Sequence, residues 1–230
     1  MDTHTSLLFF GIFLLLVLMV ESMRIFSQRK VRKTLERLFG ADYISRQRLS
    51  GDFLSNMFEK SSRGEIHWIR SNGKTVGIAT HIYSRLPALT FFIEVPVRNN
   101  FLMVSNKTLI SASLNLKNRM SSSRWHHSSS EASKYDLFHE NGVDVHALSS
   151  EVQDALNVIS EIKMFKWLVA ETSDSVGKNP LNVWNPFGRP GVFVTFFNGP
   201  IERIYQSDGM ILEISEISKV LTALSSTHWE

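Results

Sequence analysis

The side chains best suited to chemistry crowd between Asp136 and His146. Asp136, His139, Glu140, Asp144 and His146 bring two imidazoles and three carboxylates into eleven residues. Such groups serve as metal ligands or as a general acid and base. A helical zinc site of the HExxH kind sets its histidines four apart, and the spacing here is different. Gly142 also places a turn in the middle of the cluster. The sequence therefore predicts a solvated turn flanking Phe138 and Val143. A membrane-tethered hydrolase using His139, Glu140, Asp144 and His146 is the catalytic alternative.

Other histidines offer less. Trp125-His126-His127 lies between the runs Ser121–Ser123 and Ser128–Ser130. Neighbouring imidazoles on a loop are poorly preorganised, and the sequence supplies no evident third ligand, so an exposed loop is expected. His67 and His81 fall on neighbouring predicted strands but not directly opposite each other, as surface or satisfied core histidines. The stretch Trp184-Asn185-Pro186-Phe187-Gly188-Arg189-Pro190-Gly191 combines two aromatics, a cation and two prolines. It reads as a rigid loop whose aromatics cap the core. The alternative is a small-ligand or lipid sensor with a pocket near Trp184, lined by Phe187, in which Arg189 meets an anion. No GxSxG elbow, Walker A loop or Rossmann glycine fingerprint occurs. The chain has no cysteine, which excludes a thiol nucleophile, a thiolate zinc site and an iron–sulfur cluster. No cofactor or metal is implied.

The strongest pattern lies at the N-terminus. Leu7, Leu8, Phe9, Phe10, Gly11, Ile12, Phe13, Leu14, Leu15, Leu16, Val17, Leu18, Met19 and Val20 form fourteen consecutive apolar residues, and the uncharged stretch runs from Thr3 to Val20. Eighteen helical residues span roughly 27 Å, enough to cross a bilayer once flanking side chains snorkel. A cleaved signal peptide would carry positive charge before the apolar run and small residues after it. Here Met-Asp-Thr-His precedes it and Glu21-Ser22-Met23 follows. An uncleaved anchor over residues 1–23 is the expectation. Arg24, Arg29, Lys30, Arg32 and Lys33 follow it, and no Lys or Arg precedes it. The positive-inside rule then places the N-terminus outside and the rest in the cytoplasm, with these five residues contacting anionic lipid.

Behind the anchor, residues 24–60 read as a juxtamembrane helical segment: Val31, Leu35, Leu38 and Phe39 recur at helical spacing, Gly40 stops the helix, and a short second helix covers Ile44–Phe58. From Glu65 the period changes to two. Strands are expected through Ile66, Trp68 and Arg70, then a turn at Asn72-Gly73, then Val76, Ile78, Thr80 and Ile82 on one face. After a turn at Leu86-Pro87 come Phe91, Ile93, Val95 and Val97, then strands at Phe101–Val104 and Thr108–Leu114. Together these read as an antiparallel meander. Pro96 predicts an edge position or a bulge for the third strand. Residues 115–134 read as a long exposed loop and a break between subdomains of a soluble unit covering 61–230. A helix opens at Ser150, with Val152, Ala155, Leu156 and Ile159 inward. Met164–Val169 follows as a strand with Phe165, Trp167 and Val169 on one side. Val192–Phe197, a turn at Asn198-Gly199 and Ile201–Tyr205 follow. An amphipathic helix with Ile214, Ile217, Val220, Leu221 and Leu224 inward closes the chain.

This order of parts resembles uncharacterised bacterial proteins with a short N-terminal membrane anchor, a β-rich cytoplasmic domain and a closing helix. The resemblance rests on Tyr135-Asp136, Phe138 and Gly142-Val143 leading into the helix at Ser150, and it implies no functional residues. The net charge of +3 comes from the juxtamembrane cluster, since residues 34–230 are formally neutral. Within them, residues 34–124 carry +7 and residues 125–230 carry −7. Basic residues are not spread over one surface as a nucleic-acid-binding fold requires, so no nucleic-acid partner is expected. The fold class is α+β. The expected role is a non-catalytic one at the membrane surface, with a single span and an unidentified protein partner.

Overall fold

A computed structural model of the protein describes residues 3–49, 61–83, 86–97, 100–105, 125–128, 135–140, 150–162, 165–175 and 185–197, with Ile217 and Leu221. It divides into two compact units, Met1–Gly40 and Ala41–Glu230.

The first unit is one helix, α1, Thr3–Phe39. At 37 residues it is about 55 Å long. The apolar segment and the basic segment are thus one continuous rod, and it ends where Gly40 was expected to stop it. Arg32 and Glu36, one turn apart, pair at 3.5 Å. Among the described residues no helix is long and apolar enough to cross a membrane.

The second unit is built on a nine-stranded sheet in which every pairing is antiparallel. Its strands are β1 Tyr43–Leu49, β2 Ser61–Ser71, β3 Lys74–Tyr83, β4 Leu86–Ile93, β5 Phe101–Ser105, β6 Trp125–Ser128, β7 Tyr135–Glu140, β8 Phe165–Glu171 and β9 Gly191–Phe197. The order across the sheet is β1-β2-β3-β4-β9-β8-β5-β7-β6. Helix α2, Ser150–Glu161, precedes β8. The expected α+β class with an antiparallel meander therefore holds, the meander being β1 to β4.

The β2–β3 hairpin turns at Asn72-Gly73, where φ is +49° and +75°. That left-handed pair matches the twist of the flanking strands and costs least with Asn and Gly. Directly paired residues point to the same side of a sheet. One face accordingly carries Trp68, Phe92, Phe193, Trp167, Val169, Leu102, Val104, Phe138 and Trp125, which form the aromatic core cluster. The other carries Ile69, Ile78, Phe91, Val194, Phe196, Leu168 and Met103, all buried. Helix α2 buries Ala155, Leu156 and Ile159. The Tyr135 hydroxyl of β7 donates to Asn157 Oδ1 of α2 at 3.2 Å.

Several expectations are corrected. Tyr43–Leu49 is an edge strand, not the start of a helix; pairing with β2 overrides its local preference. Phe101–Ser105 does not continue the meander but pairs with β7 and β8. The third strand of the expected meander, β4, is interior, between β3 and β9; Pro96 lies past its end and so breaks no ladder. Leu86 and Pro87 already belong to β4. The 115–134 stretch includes a strand, β6, in which Trp125 is buried. A register shift between Phe165 and Trp167 sends their side chains to opposite faces, Phe165 towards Phe196 and Trp167 towards Phe197. The expected strands at 108–114 and 201–205 lie outside the described residues. Of the closing stripe, Ile217 and Leu221 are helical and buried.

Candidate functional site

In α1 most described side chains of the apolar half are exposed. Leu7, Leu8, Phe9, Phe10, Ile12, Phe13, Leu14, Leu15, Leu16, Leu18 and Met19 are each between 47% and 68% exposed. Successive residues of a helix point in all directions, so this is an apolar cylinder rather than a stripe. A soluble monomer rarely shows so large a contiguous apolar surface.

The basic half is more ordered by face than the sequence suggested. Phe26, Arg29, Lys30, Lys33, Thr34 and Arg37 line one recess of about 480 Å³. Phe26, Lys30, Lys33 and Arg37 stand at i, i+4, i+7 and i+11, one side of a helix. Arg32 turns elsewhere and its charge is taken by Glu36. The cationic face therefore comprises Arg29, Lys30, Lys33 and Arg37. Arg37 was absent from the expected lipid-contact set, although its spacing carried the signal. The side chain of Arg24 lies outside the described residues.

The Asn185–Gly191 loop is a packed cap. The Asn185 carboxamide accepts from the Phe187 amide at 3.0 Å and donates to the Arg189 carbonyl at 2.9 Å and to the buried Glu171 carboxylate at 3.1 Å. Phe187 then stacks on Phe92 and meets the Trp68 ring edgewise at 5.7 Å. The anion that Arg189 meets is Glu94, at 3.4 Å, while its guanidinium lies 5.8 Å from the Trp68 ring centre. Phe187 thus packs onto the core through Phe92 and Trp68. Trp184 lies outside the described residues.

The expected histidine–carboxylate cluster does not converge as far as it is described. His139 and Glu140 are consecutive on β7, so their side chains leave opposite faces. Glu140 accepts from Asn100 Nδ2 at 2.8 Å, and Asn100 Oδ1 in turn accepts from the Thr172 amide at 2.9 Å. That pins the ends of β7 and β8 and is structural. Asp144 and His146 lie outside the described residues. His139 instead faces His126 across the β6–β7 pair; residues 135–140 are strand β7, and the turn expected at Gly142 lies outside the described residues.

Sequence reasoning did not single out the densest buried polar group. Glu65 and His67 project from the same side of β2, two residues apart, and both are buried. The Tyr43 hydroxyl lies 3.0 Å from His67 Nδ1. His67 Nε2 lies 3.7 Å from Glu65, whose other oxygen meets Arg46 at 3.4 Å. The chain of four ties edge strand β1 to β2. The period-two spacing of Glu65 and His67 was the only signal for it. His81 is likewise a buried core histidine: Nε2 lies 2.8 Å from Thr90 Oγ1, which lies 2.9 Å from Thr195 Oγ1.

Among the described residues no group of three or more His, Asp or Glu side chains is arranged to hold a metal ion. No protein-family model, curated protein or solved structure matches the chain at a significant level.

Proposed function

We propose that the protein is a single-pass membrane protein whose second unit lies in the cytoplasm and acts at the membrane surface by binding, without catalysis. The observation that carries this reading is the apolar first half of α1, exposed around its circumference and continuous with a cationic face. Moving eleven large apolar side chains from water into hydrocarbon contributes on the order of 20 kcal/mol. The proposed span is the whole uncharged stretch of the sequence, Thr3 to Val20, eighteen residues with snorkelling at its ends. The four cations then stand on the side where anionic headgroups concentrate. The packed Phe187 cap and the divergence of His139 and Glu140 give the sensor and hydrolase alternatives no support.

The test is fractionation of cells expressing the full chain, followed by alkaline carbonate extraction and protease treatment of intact cells. An integral anchor keeps the protein in the carbonate pellet, with the C-terminal unit protected until the membrane is opened. Release by carbonate, or cleavage of the C-terminal unit from outside, overturns the proposal.

A further inference from the structure

The outer hairpin of the sheet brings together two imidazoles that lie thirteen positions apart in the sequence. His126 on β6 and His139 on β7 are direct cross-strand partners. Their side chains therefore rise from the same face with Cβ atoms about 5 Å apart. The ring centroids are 5.8 Å apart, with the planes at 30°. His126 is exposed and His139 half-buried, so the pair opens to solvent at the sheet edge.

The hydrogen bond of His139 sets its tautomer. Nδ1 lies 3.2 Å from the carbonyl oxygen of Glu140. A carbonyl only accepts, so Nδ1 carries the proton, and the lone pair of the neutral ring is on Nε2. A backbone carbonyl accepting from the far ring nitrogen is the usual support of a metal-bound imidazole.

From these observations we infer that His126 and His139 form a two-histidine site for a divalent transition-metal ion of the imidazole-preferring kind, with zinc as the fitting probe. The distances decide whether this is reachable. A zinc–nitrogen bond of about 2.0–2.1 Å puts each ring centre roughly 3.2 Å from the ion, and a tetrahedral angle then sets the two centres about 5.2 Å apart. The observed separation exceeds that by a few tenths of an ångström, which χ rotations of an exposed His126 supply without moving the backbone. The strand pairing holds the two Cα atoms in place, so the site is preorganised in a way that His126-His127 on a loop would not be. With two protein ligands the remaining positions fall to water or to a donor on a binding partner, and affinity is modest. The site is independent of the membrane reading.

The test is zinc titration of the full-length protein in detergent micelles, read by competition with a chromophoric chelator, for the native chain and for His126→Gln, His139→Gln and His127→Gln. One ion per chain is expected, with H126Q and H139Q each weakening binding roughly tenfold or more and H127Q leaving it unchanged. Zinc is also expected to raise the thermal midpoint of the native chain and not of H126Q, whose exposed side chain leaves the metal-free fold unaltered. No saturable binding, or binding that survives both H126Q and H139Q, overturns the assignment.

Discussion

The ring of Phe187 lies flat on that of Phe92, with 4.5 Å between centroids and 16° between planes, above the one position of β3 that has no side chain. A Cβ at Gly77 would sit 2.4 Å from Phe187 Cε1 and 2.9 Å from the Trp68 ring. Both atoms belong to packed aromatics that have little room to retreat. Gly77→Ala is therefore expected to destabilise the protein by about 1–3 kcal/mol. In the Phe187→Ala background the same substitution should cost much less. Urea denaturation of the four proteins of that cycle measures the coupling; additive effects would mean the loop does not sit on Gly77.

Thr90 is the middle of a buried relay. Its hydroxyl meets both His81 and Thr195, and none of the three residues is more than 2% exposed. Thr90→Val keeps the shape and removes a hydrogen-bond partner from each neighbour. The expected loss is about 1–3 kcal/mol, larger than for Thr195→Val, which removes one partner only. Equal losses in the two variants would show that the relay does not act through Thr90.

At the opposite edge Glu65 joins Arg46 to the His67–Tyr43 pair. Glu65→Gln preserves volume and removes the charge that faces Arg46. Because the Arg46 side chain is one-third exposed, solvent offsets part of the loss. A destabilisation of about 1–2 kcal/mol is expected, localised at β1. Hydrogen exchange checks the location: amides of β1 should lose protection while those of β4 and β9 keep theirs.

How much of this was readable beforehand follows from where the pattern is local. The Asn72-Gly73 hairpin, the α2 stripe of Ala155, Leu156 and Ile159, and the stop at Gly40 depend on residues within a turn of one another, and all were visible. The sheet order was not. Nothing near Phe101 says that it pairs with Ala170 and His139 rather than with the preceding strand. β1 and β6 are strands because a neighbour offers a ladder, not because Tyr43–Leu49 or Trp125–Ser128 has a strong local preference. The same limit hid the His126–His139 pair and the link from Tyr43 to His67, each a product of register. The cationic face of α1 lay closer to view: Lys30, Lys33 and Arg37 keep helical spacing, and only the Arg32–Glu36 pair had to be seen to remove Arg32 from it.

Tyr135 gives a pH signature. Burial pushes its phenol above the ordinary value of 10, because the anion would lose water on entering the fold. The folded state then holds this proton more tightly than the unfolded one. Its contribution is fully present below about pH 10 and is lost as pH rises from the unfolded value through the folded one. Lysines titrate in the same range, so the informative quantity is the difference between the native protein and Tyr135→Phe. The denaturation midpoint of the native chain should fall more steeply than that of the variant as pH rises past the ordinary phenol value of 10. Parallel curves would place the Tyr135 hydroxyl in water.

The face of α1 that carries Arg29, Lys30, Lys33 and Arg37 makes the sharpest demand on the membrane proposal. Each cation close to an anionic surface contributes about 1 kcal/mol, screened beyond roughly 10 Å at moderate salt. On that proposal Phe26, at the same recess, would add an apolar foothold at the depth of the headgroups. Arg32 is already neutralised by Glu36 and should contribute little. A peptide covering residues 22–39, which omits the apolar segment, isolates the electrostatic part. It is expected to bind vesicles containing phosphatidylserine and not vesicles of phosphatidylcholine alone, with affinity falling as salt rises. Replacing Lys30 and Lys33 by Gln should weaken binding roughly tenfold or more, whereas Arg32→Gln should change it less than about threefold. Co-sedimentation measures all of these. If Arg32→Gln weakens binding as much as the double lysine replacement, then charge alone, without the face that the helix builds, governs the interaction.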